Sequence, residues 1–398
     1  MVGGSIPDGS DTEILVNLKR MNAVRKVDPL NYAITVEAGM VLSDVHQASE
    51  KIQCQFPMHL ASEGSAMIGG NISTNAGGIN VLHYGVMRDL VLGLEVVLPN
   101  GEIWQGLSGL RKNNTGYDLK QLFIGAEGTL GIITAATLKL YPKVKQKNVA
   151  FVAIGSPEIA IEMLTLVRRI SGDSLIAFEI LPRIGLDFTI KHMPGCRDPL
   201  SDRYSWYILM ECATSLEPDL LNLEKLMEKI LEQAMEQGLV LDGVVPKNVA
   251  EMKALWNLRE FMSEAQKFEG GSIKHDISVA VSKIPEFLSR ATKAVQYAIP
   301  DIRPVPFGHI GDGNIHFNLS QPIEMDKDEY LSKWEEINRV VHDIVTDLNG
   351  SISAEHGIGV LKVEELERYK PKTDLKMMRD IKTALDPNNI MNPGRIIR

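Results

Sequence analysis

The chain has 398 residues, 44% hydrophobic and 23% charged, with a net charge of −9. That length predicts two domains, or three, and no apolar run approaches the ~20 residues needed to cross a bilayer, which excludes a membrane span. The acidic balance contains no concentrated basic block and argues against a nucleic-acid partner. Three cysteines, Cys54, Cys196 and Cys212, show no metal-ligand or redox spacing. Their odd number speaks against a disulfide framework and for a reducing, intracellular compartment. The chain opens on glycine turns, Met1-Val2-Gly3-Gly4-Ser5, with no signal or transit pattern. We therefore expect a segment upstream of it to be missing.

Alternation at Ile14, Val16 and Leu18, and again over 33–38, predicts short strands in an antiparallel hairpin. A helix is expected over 41–51, capped by Ser43 or Asp44, with Val45 and Ala48 inward. The stretch from Gly64 to Gly78 nearly excludes bulky side chains, so its backbone N–H groups can press against a ligand. Strands follow over 90–98 and 136–140, the first turning at Pro99-Asn100-Gly101-Glu102. A domain boundary is expected at Tyr141-Pro142-Lys143.

Beyond it the pattern becomes strands alternating with longer helices. Strands are expected over 149–154, 174–181 and 204–212. A helix begins at Ser156-Pro157 with Ile159, Met163, Val167 and Ile170 as its stripe, and another spans 219–237 with Leu220, Leu223, Met227, Ile230 and Ala234 inward. This is the grammar of a ferredoxin-like α/β sandwich. It partly recurs: a strand over 274–281, a helix over 282–297, a strand pair over 305–320 and a long helix over 326–349.

The most polar cluster is Phe307-Gly308-His309-Ile310-Gly311-Asp312-Gly313-Asn314-Ile315-His316-Phe317-Asn318. His309 and His316 would face opposite sides of a straight strand, but the glycines permit a turn or bulge that lets both imidazoles converge. Glu355, in Ser353-Ala354-Glu355-His356-Gly357, adds a carboxylate. Two nitrogens and one oxygen suit Zn²⁺ or Mn²⁺ with positions left for substrate. The plain alternative is a hydrogen-bonded histidine pair in a glycine turn. His356 beside them is a candidate general base, since an imidazole titrates near ~6.5. Arg259 and Lys274 are the cations at hand, though a single cation of this kind is usually a solvated surface group.

Five motifs stand in one order: Ile68-Gly69-Gly70-Asn71 to Asn75-Ala76-Gly77-Gly78; Gly125 to Gly131; the His309–His316 block; Ser353 to Gly359; and Asn392-Pro393-Gly394-Arg395. Together they resemble the FAD-dependent D-2-hydroxyacid dehydrogenases, the family of D-2-hydroxyglutarate dehydrogenase, D-lactate dehydrogenase and the glycolate oxidase catalytic subunit. The resemblance implies an α+β protein with a vanillyl-alcohol-oxidase (PCMH)-type FAD-binding domain over 1–142. A ferredoxin-like cap would follow over 143–398, with a tail returning to the flavin. It assigns FAD contacts to Gly3, Gly4, Ser65, Gly69, Gly70, Asn71, Thr74, Asn75, Gly77, Gly78, Glu127, Gly128, Ile133 and Asn392. His309, His316 and Glu355 match the metal ligands, with zinc ahead of manganese, and Arg259, Ser263, Lys274 and Asn318 match substrate positions. Ser263 stands where the hydroxyglutarate enzymes look to carry threonine; both offer a hydroxyl.

The implied reaction is removal of the substrate hydroxyl proton by His356 and hydride transfer from C2 to flavin. Two cations suit a diacid, so D-2-hydroxyglutarate going to 2-oxoglutarate is the leading substrate and D-lactate or glycolate the alternatives. The implied electron acceptor is electron-transfer flavoprotein or a quinone, the oligomer a homodimer, and the compartment the bacterial cytoplasm or the mitochondrial matrix. The family's pyrophosphate loop survives only as Val2-Gly3-Gly4-Ser5, so most of the first flavin subdomain is expected to be absent. That departure keeps open a flavin-deficient, non-catalytic subunit. A metal hydrolase would not need the glycine bed.

Overall fold

The computed structural model describes residues 2–7, 9–10 and 12–398. Its contacts divide the chain into two units, Met1–Lys143 with Glu355–Arg398, and Val144–Ala354. No helix among the described residues is long and apolar enough to cross a membrane.

The first unit is built on a five-stranded antiparallel sheet in the order Val24–Asp28, Ala33–Glu37, Ile132–Lys139, Val91–Val97 and Ile103–Gly106. Ile132–Lys139 lies at the centre, and its apolar residues form the core with Val36, Leu42, Val45, Ile68, Ile72 and Leu94. Ile381 and Leu385, from the helix Lys372–Leu385, pack against that core. The Asn100-Gly101 turn is as expected: Gly101 takes φ +85° and donates its N–H to Leu98 O. The alternation at Ile14, Val16 and Leu18 makes no strand. Ile14 is 88% exposed and Val16 56%, Leu18 alone of the three packs against the core, and the sheet edge belongs to Val24–Asp28. The expected helix runs Leu42–Glu50, but Val41 precedes it without a side-chain cap, and neither Ser43 nor Asp44 acts as one.

The second unit carries two sheets. The first runs Asp242–Val244, Gln146–Ile154, Trp206–Thr214, Leu175–Pro182, all antiparallel. With the helices Pro157–Ser171 and Leu223–Glu236 side by side on it, this is the ferredoxin-like arrangement, in which the first strand, Gln146–Ile154, lies between the third and the fourth. Met163 and Val167 are buried as expected, joined by Ala160 and Leu164. The second helix starts later than its apolar pattern predicted. Asn222 Oδ1 caps it by accepting from Lys225 N, and Leu220, ahead of that cap, is 71% exposed.

In the second sheet Asn314–Ser320 pairs with Arg303–Phe307 on one edge, and with Ser272–Ile273 and Asp276–Ser278 on the other. The strand expected over 274–281 is shorter, Asp276–Ser278, with the separate pair Ser272–Ile273 before it; between them the buried His275 still accepts from Phe317 N through its carbonyl. The long helix expected over 326–349 is two, Lys327–Ser332 and Trp334–Asp347, the first capped by Asp326. Trp334–Asp347 packs on Ile284–Ala298.

Candidate active site

Phe307 ends one strand and Asn314 begins the next, so the glycine-rich stretch is the tip of a hairpin in which Phe307 pairs with His316. Two of its glycines are obligatory. Gly308 takes φ +150° and a Cβ there would stand 2.7 Å from Asn314 O; Gly313 takes φ +97° and its Cβ would meet Val279 O at 2.3 Å. The fold of the tip brings the His309 and His316 rings to 5.8 Å between centroids, at 74° to one another.

Sequence separation hid the group that organises this corner. Ile180 exchanges backbone hydrogen bonds with Gly308, and Gly311 N donates to Phe178 O, so the strand Leu175–Pro182 runs under the hairpin tip. Glu179, 1% exposed, thereby meets His309 Nδ1 at 2.6 Å through Oε1, while Oε2 accepts from Arg259 Nε at 2.7 Å. Burial alone would raise the Glu179 carboxyl, but the adjacent charges of His309 and Arg259 and their hydrogen bonds outweigh it and hold it at about 2. A carboxylate can only accept, so His309 Nδ1 is the donor in this contact, which leaves Nε2 as the ring nitrogen that could ligate a metal once it gives up its proton. This carboxylate–histidine arrangement is how metal-binding imidazoles are commonly oriented. The donor set therefore fits a divalent transition metal.

Glu179 left one signal in the sequence, a lone acid within an otherwise apolar strand. That signal is not specific. Glu211 sits alike in the neighbouring strand and merely accepts from Trp256 Nε1 at 2.7 Å and pairs with Lys147.

Arg259 lies near the end of the helix Val249–Glu260 and is 9% exposed, its guanidinium 4.7 Å from the Phe307 ring centroid. It is a buried, paired cation, not the solvated one that a helix position suggests. Its Nη groups make no hydrogen bond among the described residues. Asp276 Oδ1 lies 3.7 Å from His316 Nδ1 and accepts from Asn314 Nδ2 at 2.9 Å. Ala354, the last residue of this unit, donates its N–H to Asp276 O. Asn318 is buried and gives its amide to Gln266 Oε1 at 2.7 Å. Lys274 and Ser263 are exposed, Lys274 in the break between two strands and Ser263 on the one-turn helix Met262–Ala265.

In the first unit the glycine bed is a short helix, Ile68–Ser73, and the turn after it. Its members do different work. Gly69 donates its N–H to Ala38 O and a Cβ there would meet Ala38 Cβ at 2.9 Å, so it serves packing. Gly78 leaves no room beside His59 O, 2.3 Å from its would-be Cβ, whereas Gly70 faces open space. Asn71 Nδ2 is buried with no hydrogen-bond partner among the described residues. A stranded buried donor beside an open glycine backbone fits the acceptors of a flavin dinucleotide. Asn75 takes φ +49° and accepts from Arg88 N; Thr74 Oγ1 turns back to Gly70 O; Ser65 Oγ donates to Ser62 O; Ile133 is interior to the central strand. A Cβ on Gly77 would stand 3.0 Å from Glu355 Oε1.

Glu127, expected at the flavin, is a clamp. Its carboxylate accepts from Ile358 N and Gly359 N, each at 2.7 Å, and its carbonyl accepts from Asn392 Nδ2 at 2.6 Å. The same amide reaches Gly4 O at 3.0 Å. Burial pushes the Glu127 carboxyl up, opposed by the two backbone N–H groups. Gly128, at φ +75°, lets the loop turn beside Asn392, and Gly3 takes φ +73°. One acid and one amide thus tie Gly4, the Gly125–Gly131 loop, the 357–359 loop and the tail together. His356 lies at the head of that 357–359 loop.

Residues 143–396 match the C-terminal domain of FAD linked oxidases, and residues 1–106 match an FAD binding domain. The D-2-hydroxyglutarate dehydrogenase of Danio rerio is 39% identical over all of this chain, which covers 72% of that protein. The enzyme of the same name from Stutzerimonas stutzeri is 38% identical over 96% of the chain and 81% of its own length. Among solved structures, p-cresol methylhydroxylase aligns with TM-score 0.68 at 17% identity, over 95% of this chain and 78% of its own, which shows the PCMH-type fold. The chain belongs to the FAD linked oxidases, as a flavin-dependent oxidoreductase.

Proposed function

We propose that this protein oxidises a D-2-hydroxyacid, with D-2-hydroxyglutarate as substrate and 2-oxoglutarate as product, using FAD and a divalent cation, Zn²⁺ ahead of Mn²⁺. The observation that carries the reading is the buried chain His309–Glu179–Arg259. Through one carboxylate it orients an imidazole that could serve a metal and a guanidinium that could serve an acid. When bound, FAD accepts the hydrogen of C2 as hydride, and the cation supplies Lewis acidity at the substrate hydroxyl.

The chain's own residues do the rest. Arg259 takes a substrate carboxylate through its two Nη groups in the bidentate manner that guanidinium allows. Lys274 faces the other carboxylate. Although part of Lys274 is exposed, partial loss of surrounding water, and then Lys267, lowers its ammonium pKa, and an incoming anion would oppose that shift. Two cations match a diacid better than lactate or glycolate, in keeping with relatives named for D-2-hydroxyglutarate. His309 and His316 hold the cation by ring nitrogens. From the Ser353–Gly359 motif, Glu355 would be the third metal ligand, and an imidazole nitrogen of His356 would accept the proton that leaves the substrate hydroxyl. Ser263 and Asn318 supply polar contacts to the substrate. Electrons leave to an acceptor of the electron-transfer-flavoprotein or quinone class.

Dye-coupled oxidation of D-2-hydroxyglutarate, D-lactate and glycolate tests this. The expected result is the highest kcat/KM for the diacid, with Lys274→Ala raising its KM more than that of D-lactate, and no turnover in His316→Ala. Dye reduction by none of the three acids, or full turnover after metal removal, overturns it.

A further inference from the structure

A second set of convergent donors belongs to the first unit, whereas the His309–His316 hairpin belongs to the second. His46, on the helix Leu42–Glu50, approaches Met58 O with Nε2 at 2.8 Å. A carbonyl can only accept, so the proton sits on Nε2 and Nδ1 offers its lone pair. Nδ1 lies 3.9 Å from Glu63 Oε2, and His59 Nδ1 lies 3.1 Å from the same oxygen. The two rings are 4.6 Å apart between centroids. One ligand atom from each of the three residues can be chosen so that all lie within 4.8 Å of one another. Tetrahedral ligands ~2.0–2.1 Å from zinc stand about 3.3 Å apart. The two distances to Glu63, 3.1 and 3.9 Å, bracket that value, so its carboxylate already stands near ligand spacing from both imidazoles.

The backbone is already arranged for it. Ser43 N donates to Glu63 O and Leu42 N to Ala66 O, which lays residues 63–66 across the start of the His46 helix. Asn80 Nδ2 holds Pro57 O at 3.0 Å, and Ile79 N donates to His59 O. The three side chains are partly exposed, so water can complete the coordination.

We propose that His46, His59 and Glu63 form a binding site for a divalent transition metal of the zinc class, which pins the 57–66 segment to the Leu42–Glu50 helix. Two imidazoles with one carboxylate favour Zn²⁺ over Mg²⁺. The metal replaces the proton shared between His59 Nδ1 and Glu63, and that proton leaves to water. Because Ile68–Ser73 follows directly, the clip would stiffen the entry to the glycine bed.

The test is Zn²⁺ binding to the chelator-stripped full chain by calorimetry, with thermal unfolding in parallel. His59→Ala and Glu63→Ala should each lose one equivalent, or bind it at least about tenfold more weakly. Both should also lose the rise in unfolding temperature that Zn²⁺ gives this unit. The double variant His309→Ala/His316→Ala should keep that equivalent, and Mg²⁺ should not replace it. If His59→Ala and Glu63→Ala bind Zn²⁺ with wild-type stoichiometry and affinity, the three residues are an ion pair with a neighbour and the proposal is wrong.

Discussion

Glu179 is the residue whose removal should be felt most widely. It is 1% exposed and sits between His309 at 2.6 Å and Arg259 at 2.7 Å. Unit charges at such a distance attract by about 6 kcal/mol at an effective dielectric near 20. Desolvation of both partners offsets much of this in the intact pair, but deleting one partner leaves the other buried without compensation. Glu179→Ala should therefore cost about 3–5 kcal/mol of stability, because Arg259 is left charged inside the fold. Glu179→Gln keeps the shape and one acceptor, so it should lose less stability while still depriving His309 of its anionic partner. Zinc affinity in the Gln variant should fall about 10–100-fold. Denaturant unfolding followed by circular dichroism gives the first quantity, and competition with a fluorescent chelator the second. An Ala variant as stable as wild type would refute the buried-charge reasoning. Unchanged zinc affinity in the Gln variant would refute the orienting role.

Other consequences can be checked separately. Glu127→Ala strands the Ile358 and Gly359 N–H groups, at about 1–3 kcal/mol each, and should accelerate hydrogen exchange at both amides; slow exchange there would count against the clamp. Gly70→Ala has open space and a helical backbone, so it should leave unfolding unchanged or stabilise by up to about 1 kcal/mol while reducing FAD retention. Gly78→Ala, whose Cβ would meet His59 O at 2.3 Å, should lose both stability and FAD. Equal behaviour of the two alanine variants would contradict the assignment of Gly70 to the ligand-facing side. Glu269 is largely buried, which alone would raise its carboxyl, yet Lys191, His192 and Arg303 hold it at about 2 against an ordinary 4.5. Its folded-state value lies below the unfolded one, so its stabilisation is complete above about pH 4.5 and is lost as pH falls towards 2. The shift corresponds to at most about 3 kcal/mol, and Glu269→Gln should flatten that part of the stability–pH curve.

Local patterns carried much of the architecture. Pro157 after Ser156, the Asn100-Gly101 turn and the apolar stripe through Met227, Ile230 and Ala234 each act within a few residues, where backbone sterics and periodic burial decide the outcome. Where local pattern failed, a neighbour was the reason. Ile14, Val16 and Leu18 alternate without a sheet to join, Leu220 precedes the Asn222 cap, and the run expected as one strand over 274–281 pairs only over Asp276–Ser278.

The same boundary runs through the candidate site. Sequence by itself determined that His309 and His316 share a glycine-rich turn and that Gly64–Gly78 can bring bare backbone to a ligand, because both follow from side-chain size and allowed φ. Only tertiary structure decided which imidazole nitrogen carries a proton, which glycines serve packing, and that Arg259 is buried and paired. Those depend on Glu179 lying 2.6 Å from His309 after a separation of 130 residues. Hydrogen bonds and ion pairs act over a few ångströms of space, and no pattern along the chain encodes which distant carboxylate will arrive.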